Sequence, residues 1–349
     1  MKNLRLAARG AGAALWLLVA CHQPRAIPVE PVGDGRLPAP VSVPSATDDA
    51  AGVTGKVYRF AFIPKCLDDP VYAYAKTGAE RQAAQYGDVK ILWEAPASLD
   101  AQRQKDILDR AIAEGVDGIA IACIDSGLLT PSIDRAAAVG IPVVTFDSDA
   151  PDSKRAAFYG IDDFAAGVQI GEEVVKLLGP AGGEVAALTT GGADNLLKRV
   201  EGFKSAIRNH PVRLVEAFDV QDDAATAGKV VLAANRTYPN LRAWVSVGGW
   251  PLFNNDIINS MDPAKAYWII FDPVPESWDL IKSGKIQLAV GQKFFGWGSA
   301  STRLLYEIAA HQKYPAAAFV NSGVDMVSRD NIDGYITKWK QMGSGQAVE

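Results

Sequence analysis

The chain has 349 residues, of which 48% are hydrophobic and 21% charged, and its formal net charge is −5. This length and composition are typical of two folded domains, and they exclude a small disulfide scaffold, a wholly disordered chain and a multi-span membrane protein. Binding of nucleic-acid phosphates needs clustered Lys and Arg, so the negative charge argues against a nucleic-acid partner.

The first twenty residues have the parts of a bacterial signal peptide. Basic residues precede an apolar run over residues 11–20, which is too short to cross a bilayer as a helix, and small Ala20 stands directly before Cys21. We predict a lipoprotein signal peptide over residues 1–20 and lipidation of Cys21, which would anchor the mature protein outside the cytoplasm. An ordinary secretory signal with a chance cysteine is the alternative.

The next segment is rich in proline. Six of the 20 prolines lie between residues 24 and 44. Proline at this density favours extended chain without ladder hydrogen bonds. We therefore predict a disordered tether over residues 21–55.

After residue 55, short apolar runs alternate with amphipathic stretches, which indicates parallel sheets covered by helices on both faces. The predicted strands are Val57–Ile63, Val89–Trp93, Gly118–Ala122, Val143–Phe146, Val185–Leu188, Leu214–Ala217, Ala243–Val247, Tyr267–Phe271 and Ile286–Val290. The clearest helices are Pro70–Tyr86, Ala101–Glu114, Phe164–Leu178, Leu196–Asn209, Ala224–Asn235 and Trp297–His311. Four strands precede Asp147 and five follow Gly182, so we predict an α/β fold with two doubly wound lobes.

Polar side chains follow most of these strands, where parallel sheets bind ligands. Carboxylates and amides can exchange paired hydrogen bonds with the adjacent hydroxyl groups of a polyol, and an aromatic ring can cover the apolar face of a sugar. The candidate ligand contacts at these positions are Lys65, Asp69, Tyr72, Asp147, Asp149, Asp222, Trp250, Asp272 and Gln292. Aspartates in such loops also cap helices, a role that suits Asp69 and Asp223 best.

Catalytic and cofactor motifs are not found in the sequence. The three histidines stand apart, without metal-ligand spacing, and there is no phosphate-binding loop, dinucleotide fingerprint or nucleophile elbow. We predict no metal, no cofactor and no catalysis. A glycosidase using a pair of carboxylates is the least favoured alternative.

Seven motifs follow one another in the order of a known family. They are PKCLDDP at 64–70, GVDGIAI at 115–121, GIPVVTFDSDAP at 140–151, YGIDDFAAG at 159–167, NLLKRVEGF at 195–203, FDP at 271–273 and VGQ at 290–292. On these motifs the chain resembles the type I periplasmic sugar-binding proteins of ABC importers, of the ribose-binding kind.

The resemblance implies a periplasmic-binding-protein type I fold, with two lobes joined by three crossover strands that close on ligand by hinge bending. The expected lobes comprise residues 56–161 plus 293–321 and residues 162–292 plus 322–349. In this family the first strand lies beside the third, which would bring Cys66 near Cys123. A disulfide between them is therefore expected, as the compartment permits.

The resemblance also implies roles for site residues. Positions that contact ligand in the family match Asp69, Asp147, Arg199, Asp272 and Gln292, and Tyr72 matches an aromatic that stacks on the sugar. Ser148, Asp222 and Gly248 depart from the ribose-binding pattern, which argues against ribose itself.

The expected function is that of a lipid-anchored, monomeric solute-binding protein of the periplasm that delivers a monosaccharide or similar polyol to an ABC permease. The alternative is a receptor for an autoinducer-like or other small oxygenated ligand that feeds a membrane sensor, because Lys65 and the sequence FDSD are similar to the autoinducer-receptor branch of the superfamily. The many carboxylates leave an amino sugar or cationic polyol open.

Overall fold

A computed structural model describes residues 55–344 of the chain. The signal peptide, Cys21 and nearly all of the tether expected from the sequence lie outside these residues. No helix among the described residues has the length and apolar character needed to span a membrane.

The first of two sheets has six parallel strands. They are β1 (Tyr58–Ile63), β2 (Val89–Trp93), β3 (Gly118–Ile121), β4 (Val143–Phe146), β5 (Ala157–Gly160) and β11 (Phe319–Asn321), in the order β11-β5-β4-β3-β1-β2. Its helices are α1 (Val71–Tyr86), α2 (Ala101–Ala113), α3 (Ser126–Ala138) and α9 (Phe294–His311). We call this sheet and these helices the first lobe.

The second sheet also has six strands. They are β6 (Gly183–Thr189), β7 (Val212–Asp219), β8 (Leu241–Ser246), β9 (Tyr267–Phe271), β10 (Leu288–Gly291) and β12 (Asp325–Val327), in the order β12-β10-β9-β8-β6-β7, with β12 antiparallel. Its helices are α4 (Asp163–Leu178), α5 (Asp194–Ile207), α6 (Ala224–Thr237), α7 (Asn255–Ser260), α8 (Trp278–Lys282) and α10 (Ile332–Ser344). We call this set the second lobe.

The central strands are buried on both faces, as the sequence predicts. Every residue of β3, β4 and β10 is buried, and these strands consist largely of Val, Ile, Leu, Ala and Phe. Burial of both faces requires apolar side chains at successive positions, which explains why these runs lack alternation.

The chain passes between the lobes three times within the described residues: from β5 to α4, from β10 to α9 and from β11 to β12. The predicted α/β fold with two doubly wound lobes and a three-segment connection is confirmed. The lobe boundaries expected from the sequence remain our proposal.

The expected disulfide is absent, because Cys66 and Cys123 are both free and buried. Strand β1 does pair with β3. However, Cys66 packs in the same hydrophobic cluster as Phe60 and Phe62, whereas Cys123 packs in a second cluster with Ile121. Side chains alternate between the faces of a sheet, so neighbouring strands send these two thiols to different sides. Burial raises the pKa of both thiols, which keeps them protonated at neutral pH.

Helices α1 and α9 pack closely through a glycine. A Cβ at Gly298 of α9 would lie only 1.8 Å from the carbonyl oxygen of Ala75 in α1, closer than any real contact. We expect Gly298→Ala to lower the free energy of unfolding by about 1–3 kcal/mol or more, because the helices must separate. Denaturant-induced unfolding measures this change.

The matched control is Gly334→Ala in α10, where an added Cβ meets no atom within 4 Å. Alanine has the better helix propensity, so this variant should be as stable as the parent protein or more stable by up to about 1 kcal/mol. Equal stability of the two variants would contradict the close packing of α1 on α9.

Candidate binding site between the lobes

A cavity lies between the lobes, at the carboxyl ends of strands from both sheets. It encloses about 780 Å3 of empty space, including the part open to solvent. Nine of the ten residues expected to contact ligand line it: Lys65, Asp69, Tyr72, Asp147, Arg199, Asp222, Trp250, Asp272 and Gln292. The structure therefore brings together side chains that are as far apart in sequence as residues 65 and 292.

Asp147 is the centre of the first-lobe wall. It directly follows β4 and is buried. Its Oδ2 accepts a hydrogen bond from the Tyr72 hydroxyl at 2.9 Å. The same oxygen forms an ion pair with Lys65 Nζ at 3.1 Å. Burial raises the pKa of Tyr72 well above its ordinary value, so this hydroxyl remains a donor.

Lys65 also contacts the second lobe. Its Nζ lies 3.4 Å from Oδ1 of Asn195, at the start of α5. The ammonium group thus bridges the two walls of the cavity. Asn195 also lines the cavity but was not among the expected ligand contacts.

Arg199 is the centre of the second-lobe wall and is almost wholly buried. Its Nε donates to Asp163 Oδ1 at 2.8 Å, its Nη1 to the carbonyl oxygen of Val247 at 2.8 Å and its Nη2 to Gln292 Oε1 at 3.1 Å. The guanidinium also lies over the ring of Phe271, 4.0 Å from its centroid. These contacts fix the orientation of the side chain.

The same network extends to a carboxylate of the cavity wall. Gln292 Nε2 donates to Asp272 Oδ1 at 3.0 Å, so Arg199 orients Gln292 and Gln292 orients Asp272. Asp163, the buried partner of Arg199, was not identified from the sequence. In the sequence, Asp163 is only the second aspartate of the IDD motif at 161–163. An aspartate at this place is equally typical of the first turn of a helix, so it did not indicate a partner for Arg199.

Asp222 and Trp250 form a second pair in this wall. The indole Nε1 donates to Asp222 Oδ1 at 2.7 Å, and the backbone N–H of Asp222 donates to Thr190 Oγ1 at 2.9 Å. The indole is therefore held by its polar edge, and Trp250 is buried.

Three aspartates of the cavity have left-handed backbone conformations. The φ angles are 59° at Asp147, 54° at Asp222 and 68° at Asp272. This conformation is uncommon for residues other than glycine, although Asp and Asn tolerate it best. Such strained positions concentrate at ligand sites, where the surrounding structure imposes them.

Asp149 does not line the cavity, so its expected ligand contact is corrected. Its carboxylate pairs with Arg155, accepting a hydrogen bond from Nη2 at 2.6 Å, and also accepts from the Thr145 hydroxyl at 2.6 Å. These partners hold the side chain within the loop after β4, and we assign it a structural role.

The cavity contains more carboxylates than cations. Asp69, Asp147, Asp222 and Asp272 line it, against Lys65 and Arg199. Burial raises the pKa of Asp69 to about 7 and that of Asp272 to about 6, and it also raises the pKa of Asp222. Repulsion among the carboxylates adds to the shift at Asp69.

Asp69 also lies two residues before α1. Its Oδ1 accepts a hydrogen bond from the backbone N–H of Val71 at 3.1 Å, but Pro70 occupies the N-cap position, so Asp69 is not the helix cap that its sequence position suggests. Asp223 accepts from the N–H of Thr226 and caps α6, as expected. Asp69 therefore contacts the first residue of α1 and also lines the cavity.

These shifts predict a pH dependence of stability. The folded-state pKa of Asp69, about 7, lies above its ordinary value of 3.8, so the ligand-free fold is favoured at low pH and loses stability as the pH rises from about 4 to 7. Asp69→Asn removes this titration. Between pH 5 and pH 8 the free energy of unfolding of the parent protein should therefore fall by about 2–3 kcal/mol more than that of the variant.

Melting temperatures between pH 5 and 8 measure this effect. In Asp69→Asn the melting temperature should fall less steeply with rising pH than in the parent protein. Some decrease should remain, because burial also raises the pKa of Asp163 and of Asp272 to about 6. The control is Asp223→Asn, since capping lowers the pKa of Asp223. A slope unchanged in Asp69→Asn would contradict the protonation of Asp69 in the ligand-free protein.

Among residues 55–344, no three or more His, Cys, Asp and Glu side chains are arranged to hold a metal ion.

Comparison with known proteins agrees with this architecture. The family model described as "Periplasmic binding protein domain" matches residues 60–313. The D-allose-binding periplasmic protein of Escherichia coli is 25% identical over 263 residues, which cover 71% of this chain and 84% of the relative.

Solved structures show the same fold. An ABC transporter solute-binding protein from Burkholderia graminis, in complex with D-arabinose, is 30% identical and superimposes with a TM-score of 0.74 over 83% of this chain and 99% of that one. A sugar ABC transporter sugar-binding protein from Bacillus halodurans is 27% identical, with a TM-score of 0.70 over 79% of this chain and 99% of that one. The chain belongs to the periplasmic binding protein domain family.

Proposed function

We propose that this protein is the extracytoplasmic solute-binding component of an ABC importer and that it binds a monosaccharide or similar polyol between its lobes. The observation that carries the proposal is the cavity itself, in which oriented carboxylates and amides from both lobes surround an open space beside Tyr72 and Trp250. This combination suits the hydroxyl rim and the apolar face of a sugar ring. The names of the relatives favour transport over the signalling alternative, and binding without catalysis.

We also propose hinge bending between the lobes, which the three connecting segments support. The polar contacts between the two cleft walls include that of Lys65 with Asn195 and that of the Ser126 hydroxyl with Asp194 Oδ2 at 2.9 Å. Opening of the cleft would break both. A ligand that contacts both walls binds the closed arrangement better and so shifts the population towards it, which a permease can recognise.

Small-angle X-ray scattering tests closure. We expect the radius of gyration to decrease when a bound sugar saturates the protein, because an open population is converted to the closed one. A scattering profile that is the same with and without saturating ligand would contradict hinge bending.

We also propose that Cys21 is lipidated and tethers a monomer to the cell envelope. The lipobox-like sequence before Cys21 and the proline-rich segment after it support this proposal. Cys21→Ser should move the protein from the membrane fraction to the soluble fraction of the expressing bacterium, and the mass of the N-terminal peptide should lose the lipid. An unchanged distribution would contradict the anchor.

A further inference from the structure

The charges of the cavity wall do not balance within the protein. Both cations already have carboxylate partners, since Lys65 pairs with Asp147 and Arg199 with Asp163, which lies outside the lining. Asp69, Asp222 and Asp272 also line the cavity, and none of them forms an ion pair within the described part of the chain.

Each of these three carboxylates accepts a hydrogen bond from a neutral donor. The donors are the Val71 N–H for Asp69, the Trp250 indole for Asp222 and the Gln292 amide for Asp272. A carboxylate can accept about four hydrogen bonds, so each has unused acceptor positions. These positions are available to donors of a ligand.

Excess negative charge in a partly buried site is costly unless a cation neutralises it. The hydroxyl groups of a neutral sugar donate hydrogen bonds but bring no charge. An ammonium group would supply both the hydrogen-bond donors and the positive charge. The raised pKa values of Asp69, Asp222 and Asp272 are consistent with a wall that lacks a cation.

The protein itself shows that an ammonium fits this environment. Lys65 Nζ lies 3.1 Å from a carboxylate oxygen of Asp147 and 3.4 Å from the amide oxygen of Asn195, between the two walls. A ligand ammonium would find partners of the same kind in Asp69 of the first lobe and in Asp222 and Asp272 of the second. Such a contact would also join the lobes.

We propose that the ligand of this cleft carries a positively charged amino group, as amino sugars and amino polyols do, and that this group binds among Asp69, Asp222 and Asp272. The proposal rests on the proposed function and narrows it. The hydroxyl groups of the ligand then bind the remaining wall, where Asp147, Arg199 and Gln292 are already oriented.

Calorimetric titration of the purified full chain at pH 7 with matched sugars tests this proposal. Each hexose among glucose, galactose and mannose is compared with its 2-amino form and its N-acetylated 2-amino form, which is neutral. We expect the amino form to bind at least about tenfold more tightly than both neutral forms in at least one of the three sets.

Variants identify the carboxylate that receives the amino group. Asp222→Asn keeps an acceptor for Trp250 and tolerates the left-handed backbone, so the fold should survive, as melting curves can verify. It should weaken binding of the amino sugar at least about tenfold and should lower the ratio of amino-sugar affinity to neutral-sugar affinity, because the amide still accepts hydrogen bonds from hydroxyl groups but carries no charge. Asp69→Asn gives a second, independent test with the same expectation.

The matched control is Asp219→Asn, because Asp219 lies three residues before Asp222, is exposed and does not line the cavity. It should bind like the parent protein. Tighter or equal binding of a neutral sugar overturns the amino-group proposal and leaves the proposed function intact. If no sugar of any form binds, both proposals fail.

Discussion

Arg199→Met is expected to lower the free energy of unfolding by about 3–5 kcal/mol, which is the usual result when one partner of a buried ion pair is removed. The variant leaves Asp163 buried without its cation and frees the carbonyl of Val247 and the amide of Gln292. Methionine fills much of the volume, so the loss arises mainly from unpaired polar groups. Because Gln292 and Asp272 then lose their orientation, ligand binding should be lost as well.

Urea-induced unfolding and calorimetric titration measure the two effects. The matched control is Lys198→Met, an exposed position on the same helix, which should change stability by less than about 0.5 kcal/mol. The double variant Arg199→Met/Asp163→Asn should recover part of the stability, since no buried charge is left unpaired. An Arg199→Met protein as stable as the parent would contradict the central place of this network.

Asp147→Asn is expected to weaken ligand binding by roughly a hundredfold, which corresponds to the loss of about 2–3 kcal/mol for hydrogen bonds to a charged group. The variant keeps the left-handed backbone of φ 59°, which Asn tolerates, and an acceptor for Tyr72. It removes the negative charge that holds Lys65 in the first-lobe wall. At a ligand concentration of about ten times the Kd of the parent protein, the ligand-induced rise in melting temperature should therefore disappear while the protein remains folded.

Asp149→Asn is the matched control for this variant. The two aspartates are two residues apart, but only Asp147 lines the cavity, and Asp149 pairs with Arg155. Asp149→Asn should lower the melting temperature of the free protein and preserve the full ligand-induced rise. If both variants lost the ligand-induced rise in melting temperature equally, the loss would arise from damaged folding and not from a missing ligand contact in the cavity.

Much of the fold could be predicted from the sequence, because buried parallel strands need continuous apolar runs. Strands β2, β4 and β9 have the predicted bounds. The strands that the sequence did not indicate are β5, β11 and β12, which have three or four residues each. Segments this short show no periodicity, and only their pairing with distant strands makes them strands.

Helix α3 is not among the clearest predicted helices, for a different reason. It contains Pro131 and begins with Ser126 and Gly127, residues that usually indicate a loop. Pro131 lies in the second turn, where proline removes one intrahelical hydrogen bond, and this makes the segment a poor helix by composition. The cap that starts this helix, Asp125, accepts a hydrogen bond from the N–H of Leu128 and compensates for the poor composition.

The cavity wall was largely predictable, because parallel strands deliver the residues that follow them to one edge of the sheet. The rule does not give the direction of each side chain. Asp149 turns towards Arg155, and Cys66 and Cys123 pack on different sides of their sheet. Pairings across long sequence distances, such as that of Asp163 with Arg199, had no pattern by which to find them.

The most direct test of the account is a thermal-shift screen of the purified protein against pentoses, hexoses, polyols, amino sugars and autoinducer-type furanones, repeated with Asp147→Asn. A ligand that binds only the folded protein must raise the melting temperature by mass action. We expect a rise with a sugar, polyol or amino sugar that disappears in the variant at the same ligand concentration. No rise with any of these compounds, a rise with a furanone alone, or a rise that survives Asp147→Asn would contradict the proposed binding of a polyol in this cavity.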